Sequence, residues 1–155
     1  MTLKTSQGFT LIELIIVVTI IGLLSMIAVP TYNNHITKSR RADAKASLME
    51  LSQLQESFYG DNSKYAKDLE ELGATKFGFK GSGNKFTSKE GFYELSVEPP
   101  KDEAELQKTY TLKAVPIPSD NQESREKSLK SEGCLSFTID AAGNKKSSPK
   151  IDCWH

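Results

Sequence analysis

Hydrophobic and polar positions divide the chain into two unequal stretches with different periods. Of the 22 residues from Phe9 to Pro30, 16 are hydrophobic, against 40 of the 125 from Thr31 to His155. The first stretch is a near-continuous apolar run whose only charge is Glu13, and at about 1.5 Å per residue it matches the length of a membrane-spanning helix. Beyond it, Ile36, Ala42, Ala46, Met49, Leu51, Leu54 and Phe58 recur at spacings near three and four, with Lys38, Arg40, Arg41, Lys45 and Glu50 between them. That is the mark of an amphipathic helix. A proline such as Pro30 removes one backbone donor and kinks, rather than ends, a helix supported on both sides. The pattern therefore predicts one helix from about Thr10 to Tyr59, ending at Gly60 with Asp61-Asn62 behind it. Some 50 residues would span roughly 75 Å.

Gly60 to Gly91 reads as a connecting region, with Gly78, Gly81 and Gly83 in a polar stretch and Asp68 to Gly73 as a single helical turn. Period-two alternation then marks three strands. Phe92 to Val97 alternates Tyr93, Leu95 and Val97; Tyr110 to Val115 alternates Tyr110, Leu112 and Ala114; Leu135 to Asp140 alternates Leu135, Phe137 and Ile139. One apolar face per strand suits a sheet with a helix on one side and solvent on the other. Pro99-Pro100, Pro116 and Pro118 punctuate the strand ends, Ser119 to Gly133 is a polar loop, and Ala142-Gly143-Asn144 signals a turn. Lys150 to Trp154 is a short fourth segment beside the sheet. The fold class is α+β, one long N-terminal helix packed on a small antiparallel sheet.

Composition narrows the function. The length of 155 residues allows one domain and little more. Twenty Lys+Arg against 20 Asp+Glu leave no net charge, which removes the broad attraction of a general nucleic-acid or anionic-membrane binder. Two Cys and two His are too few for a structural zinc site without carboxylates. His35 follows the apolar segment and His155 is the last residue, so neither has an evident nucleophile. Gly78, Gly81 and Gly83 lack the flanking strand and helix of a phosphate cradle. Glu70-Glu71 and Asp102-Glu103 lie in polar, solvated segments. The expectation is no catalytic residue, no cofactor and no metal.

The apolar segment has a rival reading as a cleaved secretory signal. Its candidate cleavage site, Met26-Ile27-Ala28, lacks the small residue two before Ala28, and Pro30 follows closely; retention is expected. Lys38, Arg40 and Arg41 outnumber the positive groups before the helix, which by charge alone would keep the domain in the cytoplasm. Cys134 and Cys153 argue the other way, because a late Cys pair in a small polar domain suits a disulfide in an oxidising compartment. Such a bond closes a loop of about 20 residues and contributes roughly 3 kcal/mol in the chain-entropy model. Glu13 is the unexplained residue, since a charge within a bilayer costs on the order of 3 kcal/mol. A cut after Gly8 would create an α-amine on Phe9 four residues away. An ammonium from the same or a neighbouring chain would then neutralise Glu13 and set the register of an assembly.

Gly8-Phe9-Thr10-Leu11-Ile12-Glu13 resembles the class III signal of type IV pilins and the related pseudopilins. The resemblance implies a leader over residues 1–8, removal by prepilin peptidase between Gly8 and Phe9, N-methylation of Phe9, and Glu13 as the acidic residue of assembly and register. Gly22 and Pro30 fall where such proteins carry helix-loosening residues. Residues 9–30 become the transmembrane and filament-core half of the helix. Residues 31–155 become the globular domain, with the helix continuing to about 59, an αβ-loop over 60–91, a sheet over 92–140 and a disulfide loop over 134–153. Cys153-Trp154 and the stretch from Ser39 to Lys45 look most like minor pilins of Gram-negative pilus or competence systems.

The resemblance overrules the charge-based orientation. It implies a single-pass inner-membrane protein with a periplasmic domain that later joins an extracellular pilus. The implied partners are other pilin subunits, prepilin peptidase and the inner-membrane pilus assembly machinery, and the implied uses are adhesion, twitching motility or DNA uptake. A pseudopilin of type II secretion is the near alternative. A DNA-receptor competence pilin is another, contacting DNA through Lys145, Lys146, Lys150 and Trp154 of the C-terminal loop.

Overall fold

The computed structural model describes residues 9–98, 102–118, 122–128, 133–149 and 153–154. The chain forms two units, Met1–His35 and Ile36–His155. Helix α1, Leu11–Asn62, contributes to both.

In the first unit the helix presents its apolar side chains outward on every side. Phe9, Leu11, Ile12 and the large hydrophobic residues through Ile27 are all exposed. This stretch is long and apolar enough to cross a membrane. Its polar side chains are satisfied by the helix itself. Thr19 Oγ1 donates to the Ile15 carbonyl at 2.7 Å and Ser25 Oγ to the Ile21 carbonyl at 2.8 Å, which hides two hydroxyls that hydrocarbon would leave unpaired. As expected, α1 continues through Pro30.

The second unit is an antiparallel sheet of six strands ordered as they occur in the chain. They are β1 (Lys80–Ser82), β2 (Lys85–Thr87), β3 (Tyr93–Glu98), β4 (Thr111–Pro116), β5 (Cys134–Asp140) and β6 (Lys145–Pro149). The expected three strands are β3, β4 and β5. The sheet extends beyond the expected range on both sides, into the predicted connecting region and into the predicted disulfide loop. Strand β6 lies at Lys145–Pro149, within the expected disulfide loop; of the expected fourth segment at 150–154, residues 150–152 lie outside the described residues. Pairings such as Leu95 with Ala114, Val97 with Leu112, and Leu112 with Ile139 stack the apolar alternation on one face. In β5 a bulge between Cys134 and Ser136 breaks the period. Cys134 therefore turns inward and Leu135 stays half-buried.

That face packs on α1 through Ala44, Leu48 and Leu51. The buried stripe differs from the expected one, since Ala42, Ala46 and Met49 are exposed while Thr37, Arg41, Ser47 and Gln55 are buried. The polar members hold neighbouring segments. Gln55 receives the Ala66 N–H at 2.9 Å and returns a bond to the Ala66 carbonyl at 3.0 Å, pinning the segment after the helix as a strand partner would. Tyr110 reaches Ser52 and Glu56 with its hydroxyl, and burial pushes its phenol up to about 12. The helix runs two residues past Gly60. The left-handed position that ends it is Ser63, at φ 56°, whose N–H reaches the Tyr59 carbonyl at 2.8 Å.

A second short helix, α2 (Gln122–Ser128), stands where the sequence suggested a polar loop. Gln122 and Glu126, one turn apart, are fully buried. Glu126 meets Arg41 in a paired contact, Nε at 2.9 Å and Nη2 at 2.7 Å, which docks α2 on α1.

Gln55→Leu leaves both the Ala66 N–H and carbonyl without partners inside the fold. We expect a loss of about 2–3 kcal/mol in denaturant unfolding of the full chain in detergent, and a loss below about 0.5 kcal/mol would show that Ala66 finds other partners.

Candidate functional site

Two regions carry the sequence-predicted residues, and each is built differently. At the N-terminus, Thr10 precedes the first helical residue and Glu13 stands three positions on. Glu13 Oε2 accepts from the Thr10 N–H at 2.9 Å and the Thr10 hydroxyl at 2.8 Å, while the Glu13 N–H reaches Thr10 Oγ1 at 3.3 Å. This is a reciprocal capping box. The Thr-x-x-Glu spacing was legible in the sequence, and Thr10 is the functional residue that the reading of Glu13 alone passed over. Within the single chain the carboxylate is satisfied by the N–H and the hydroxyl of Thr10. Phe9 is 91% exposed; Gly8 lies outside the described residues. At Gly22 an added Cβ would meet no atom within 4 Å. The single chain has no steric need for glycine there, and what glycine supplies is a helix propensity poorer than alanine's by about 1 kcal/mol. Pro30 is helical.

At the other end, Cys134 and Cys153 are bonded, 19 positions apart. Within the segment they enclose, residues 134–149 form a hairpin. Asp140 accepts from the backbone N–H groups of Ala142 and Asn144 and from the Asn144 side chain, at 2.9–3.0 Å. Gly143 takes the left-handed position, φ 75°. Strand β6 then returns along β5, with Lys145 opposite Ile139 and Lys146 opposite Thr138. Alternation in a strand puts neighbouring side chains on opposite faces, so the two lysines diverge instead of forming one basic loop. Lys145 holds its ammonium 5.4 Å from the centre of the Trp154 ring. Lys146 acts on Asp140 electrostatically and lends its carbonyl to the Trp154 indole N–H at 2.8 Å. Lys150 lies outside the described residues.

Trp154 is half-buried and fixed from three sides. Phe137 meets it edge-on at 5.9 Å and 84°, Cys153 beside it donates its N–H to Ser147 Oγ at 3.2 Å, and the Lys146 carbonyl accepts from the indole N–H. What stays open is a ring flanked by Lys145, beside the exposed Lys146. The arrangement offers one cation and a π-face together, which suits an anionic, ring-bearing ligand.

A groove of about 480 Å³ lies between α1 and the segment from Lys89 to Phe92. Several of its charged side chains are already engaged. Asp43 accepts from the Ser88 hydroxyl and the Glu90 N–H, Lys89 pairs with Glu50 at 2.6 Å, and the Arg40 guanidinium lies 4.0 Å from the Phe92 ring centre. Among the described residues no three His, Cys, Asp or Glu side chains are grouped to hold a metal ion.

Burial works against the Asp140 carboxylate, but the three hydrogen bonds from Asn144 and Ala142 outweigh it and, with Lys146, hold its pKa below the usual carboxylate range. A depressed folded-state pKa contributes stability that is complete above the unfolded value of about 3.9 and is lost as pH falls through the folded value. The hairpin should therefore loosen only below about pH 4. Exchange of the Trp154 indole proton should then accelerate before the global transition. An indole proton equally protected down to acid unfolding would rule this out.

Comparison with known proteins gives matches over both regions. A family model described as "Type IV minor pilin ComP, DNA uptake sequence receptor" matches residues 30–142. A second, described as "Prokaryotic N-terminal methylation motif", matches residues 3–29. Type IV major pilin protein PilA of Myxococcus xanthus is 41% identical over 68 residues, 44% of this chain and 31% of the relative. Type IV major fimbrial protein FimA of Dichelobacter nodosus is 57% identical over 37 residues, 24% of this chain and 23% of the relative. The type IV major alpha-pilin of Moraxella bovis is 46% identical over 46 residues, 30% and 29% of the two chains. The chain thus spans less than a third of the length of these curated relatives. A solved type IV pilin from Shewanella oneidensis is 23% identical, with a TM-score of 0.46 over 77% of this chain and 98% of that one.

Proposed function

The chain belongs to the type IV minor pilin family described as ComP, DNA uptake sequence receptor, and on that premise we propose that it is a filament subunit whose exposed sheet edge contacts DNA. The observation that carries the DNA reading is the Lys145 ammonium over the half-exposed Trp154 ring. A phosphate group is drawn to the Lys145 ammonium, and a base or sugar packs on the indole. Net neutrality of the whole chain then favours a local contact over a broad basic surface.

The N-terminal segment supplies the means of assembly. Prepilin peptidase cuts between Gly8 and Phe9, and the new Phe9 amine is methylated; the methylation-motif match over residues 3–29 supports this step. Residues 9–30 hold the subunit in the inner membrane with residues 31–155 on the periplasmic side. The assembly machinery then moves it into the pilus. During assembly the Glu13 carboxylate exchanges its Thr10 partners for a neighbour's Phe9 ammonium, which fixes register because a misplaced subunit would leave a charge unpaired in low dielectric. Gly22 and Pro30 mark where the helix loosens in the filament.

Two measurements test this. Intact mass from native membranes should show a chain beginning at N-methyl-Phe9 and two hydrogens lighter for the disulfide. Glu13→Val should stay inserted yet fail to incorporate, and normal incorporation would sink the pairing idea. For DNA, the full chain in detergent should bind duplex or single-stranded DNA with an affinity that falls as salt rises. Trp154→Ala should weaken binding by roughly tenfold or more. Lys145→Ala should lower the salt slope by about one, while Lys146→Ala, on the opposite face of β6, should leave it unchanged. Affinity that neither Trp154→Ala nor Lys145→Ala changes would remove the sheet edge as the contact.

A further inference from the structure

We propose that the buried Arg41–Glu126 pair positions Trp154 and thereby sets the strength of the DNA contact; this rests on the reading of the sheet edge given above. Glu126 is fully buried and receives five hydrogen bonds. They come from Arg41 Nε and Nη2, the Tyr93 hydroxyl at 3.3 Å, Gln122 Nε2 at 3.0 Å and the Cys134 N–H at 2.8 Å. One carboxylate thus ties together α1, β3, α2 and β5. Stability alone does not call for this arrangement, because apolar residues of similar volume commonly replace a buried ion pair without loss. What the ion pair adds is direction, through donors that must sit at fixed angles around two oxygens.

Two independent routes lead outward from that carboxylate, and both end at the same side chain. The first is covalent: Cys134, held by its N–H, is bonded to Cys153, the residue before Trp154. The second runs through rings. Tyr93, held by its hydroxyl, meets Phe137 edge-on at 5.9 Å, and Phe137 meets Trp154 in the same way. The outer contacts of Trp154, with the Lys146 carbonyl and the Lys145 ammonium, come from the exposed edge strand alone. The inner face of the indole is therefore set by Glu126, which touches no ligand and acts as a positioning residue.

Trp154 is the one tryptophan of the chain, so its fluorescence reports the inferred coupling directly. The full chain in detergent would be compared with Glu126→Gln and with the double variant Arg41→Met, Glu126→Leu. The double variant removes the charges as a pair, and folding is kept by apolar replacement, while the Cys134 N–H and the Tyr93 hydroxyl both lose their acceptor. In each folded variant we expect red-shifted Trp154 emission, stronger acrylamide quenching and DNA binding weaker by roughly 2- to 30-fold. Unchanged emission and quenching in the folded double variant would overturn the proposal, whatever Glu126→Gln does. A changed Trp154 signal with wild-type DNA affinity would overturn its second half. If Trp154 moves as expected but the unaltered chain binds no DNA, the positioning role stands and the DNA reading falls.

Discussion

A sheet of six strands has one apolar face to cover and a single long helix to cover it with, and most of the second unit follows from that shortage. Strands spaced about 4.8 Å apart make a face roughly 24 Å across, whereas a helix with its side chains is about 10–12 Å wide. Helix α1 therefore covers the middle, and the flanks need other material. Towards β1 and β2 it comes from the segment after the helix, where Ala66, Leu69, Leu72, Ala74 and Phe79 are buried. Towards β5 it comes from α2 and from Trp154.

Borrowed covers have to be fastened, because short segments with few apolar residues do not stay put by hydrophobic contact alone. The buried polar positions of α1 serve that purpose. Gln55 fastens the first flank by taking both polar groups of Ala66. Arg41 fastens the second through Glu126, and the Thr37 carbonyl adds a bond from Gln122. A stripe that looks imperfect by hydrophobicity is thus apolar where it meets the sheet and polar where it grips a flank. The outer positions Ala42, Ala46 and Met49 are left free of both duties.

The legible part of the fold is the part governed by period. The apolar span, the helix through Pro30, and β3, β4 and β5 all have several turns or alternations to declare themselves, and the family signature at Phe9 to Glu13 is local. What escaped the sequence depends on partners far along the chain. Strands β1 and β2 have three residues each, and β1 contains Gly81, where a Cβ would sit 2.2 Å from the Lys85 carbonyl oxygen; glycine there serves close strand approach rather than a loop. Helix α2 hides because its buried face is Gln122 and Glu126. Arg41 reads as surface until its partner, 85 residues away, is known. Strand β6 is Lys-Lys-Ser-Ser-Pro, a poor strand by composition, and only pairing with β5 makes it one. That same pairing separates Lys145 from Lys146, so the basic loop inferred from proximity in sequence becomes an edge with one lysine on each face. Lys150 lies beyond the described residues.

The indole bond to the Lys146 carbonyl has a consequence for how such chains meet. An open sheet has two edges, and each is a template on which another chain's backbone can crystallise into an unwanted ribbon. Here one edge is only three residues long and carries Lys80, and the other has a carbonyl already taken by Trp154. Crowded side by side, copies of this protein find little purchase for sideways zippering. The growth of order is thus left to helices, whose backbones are already spent on themselves.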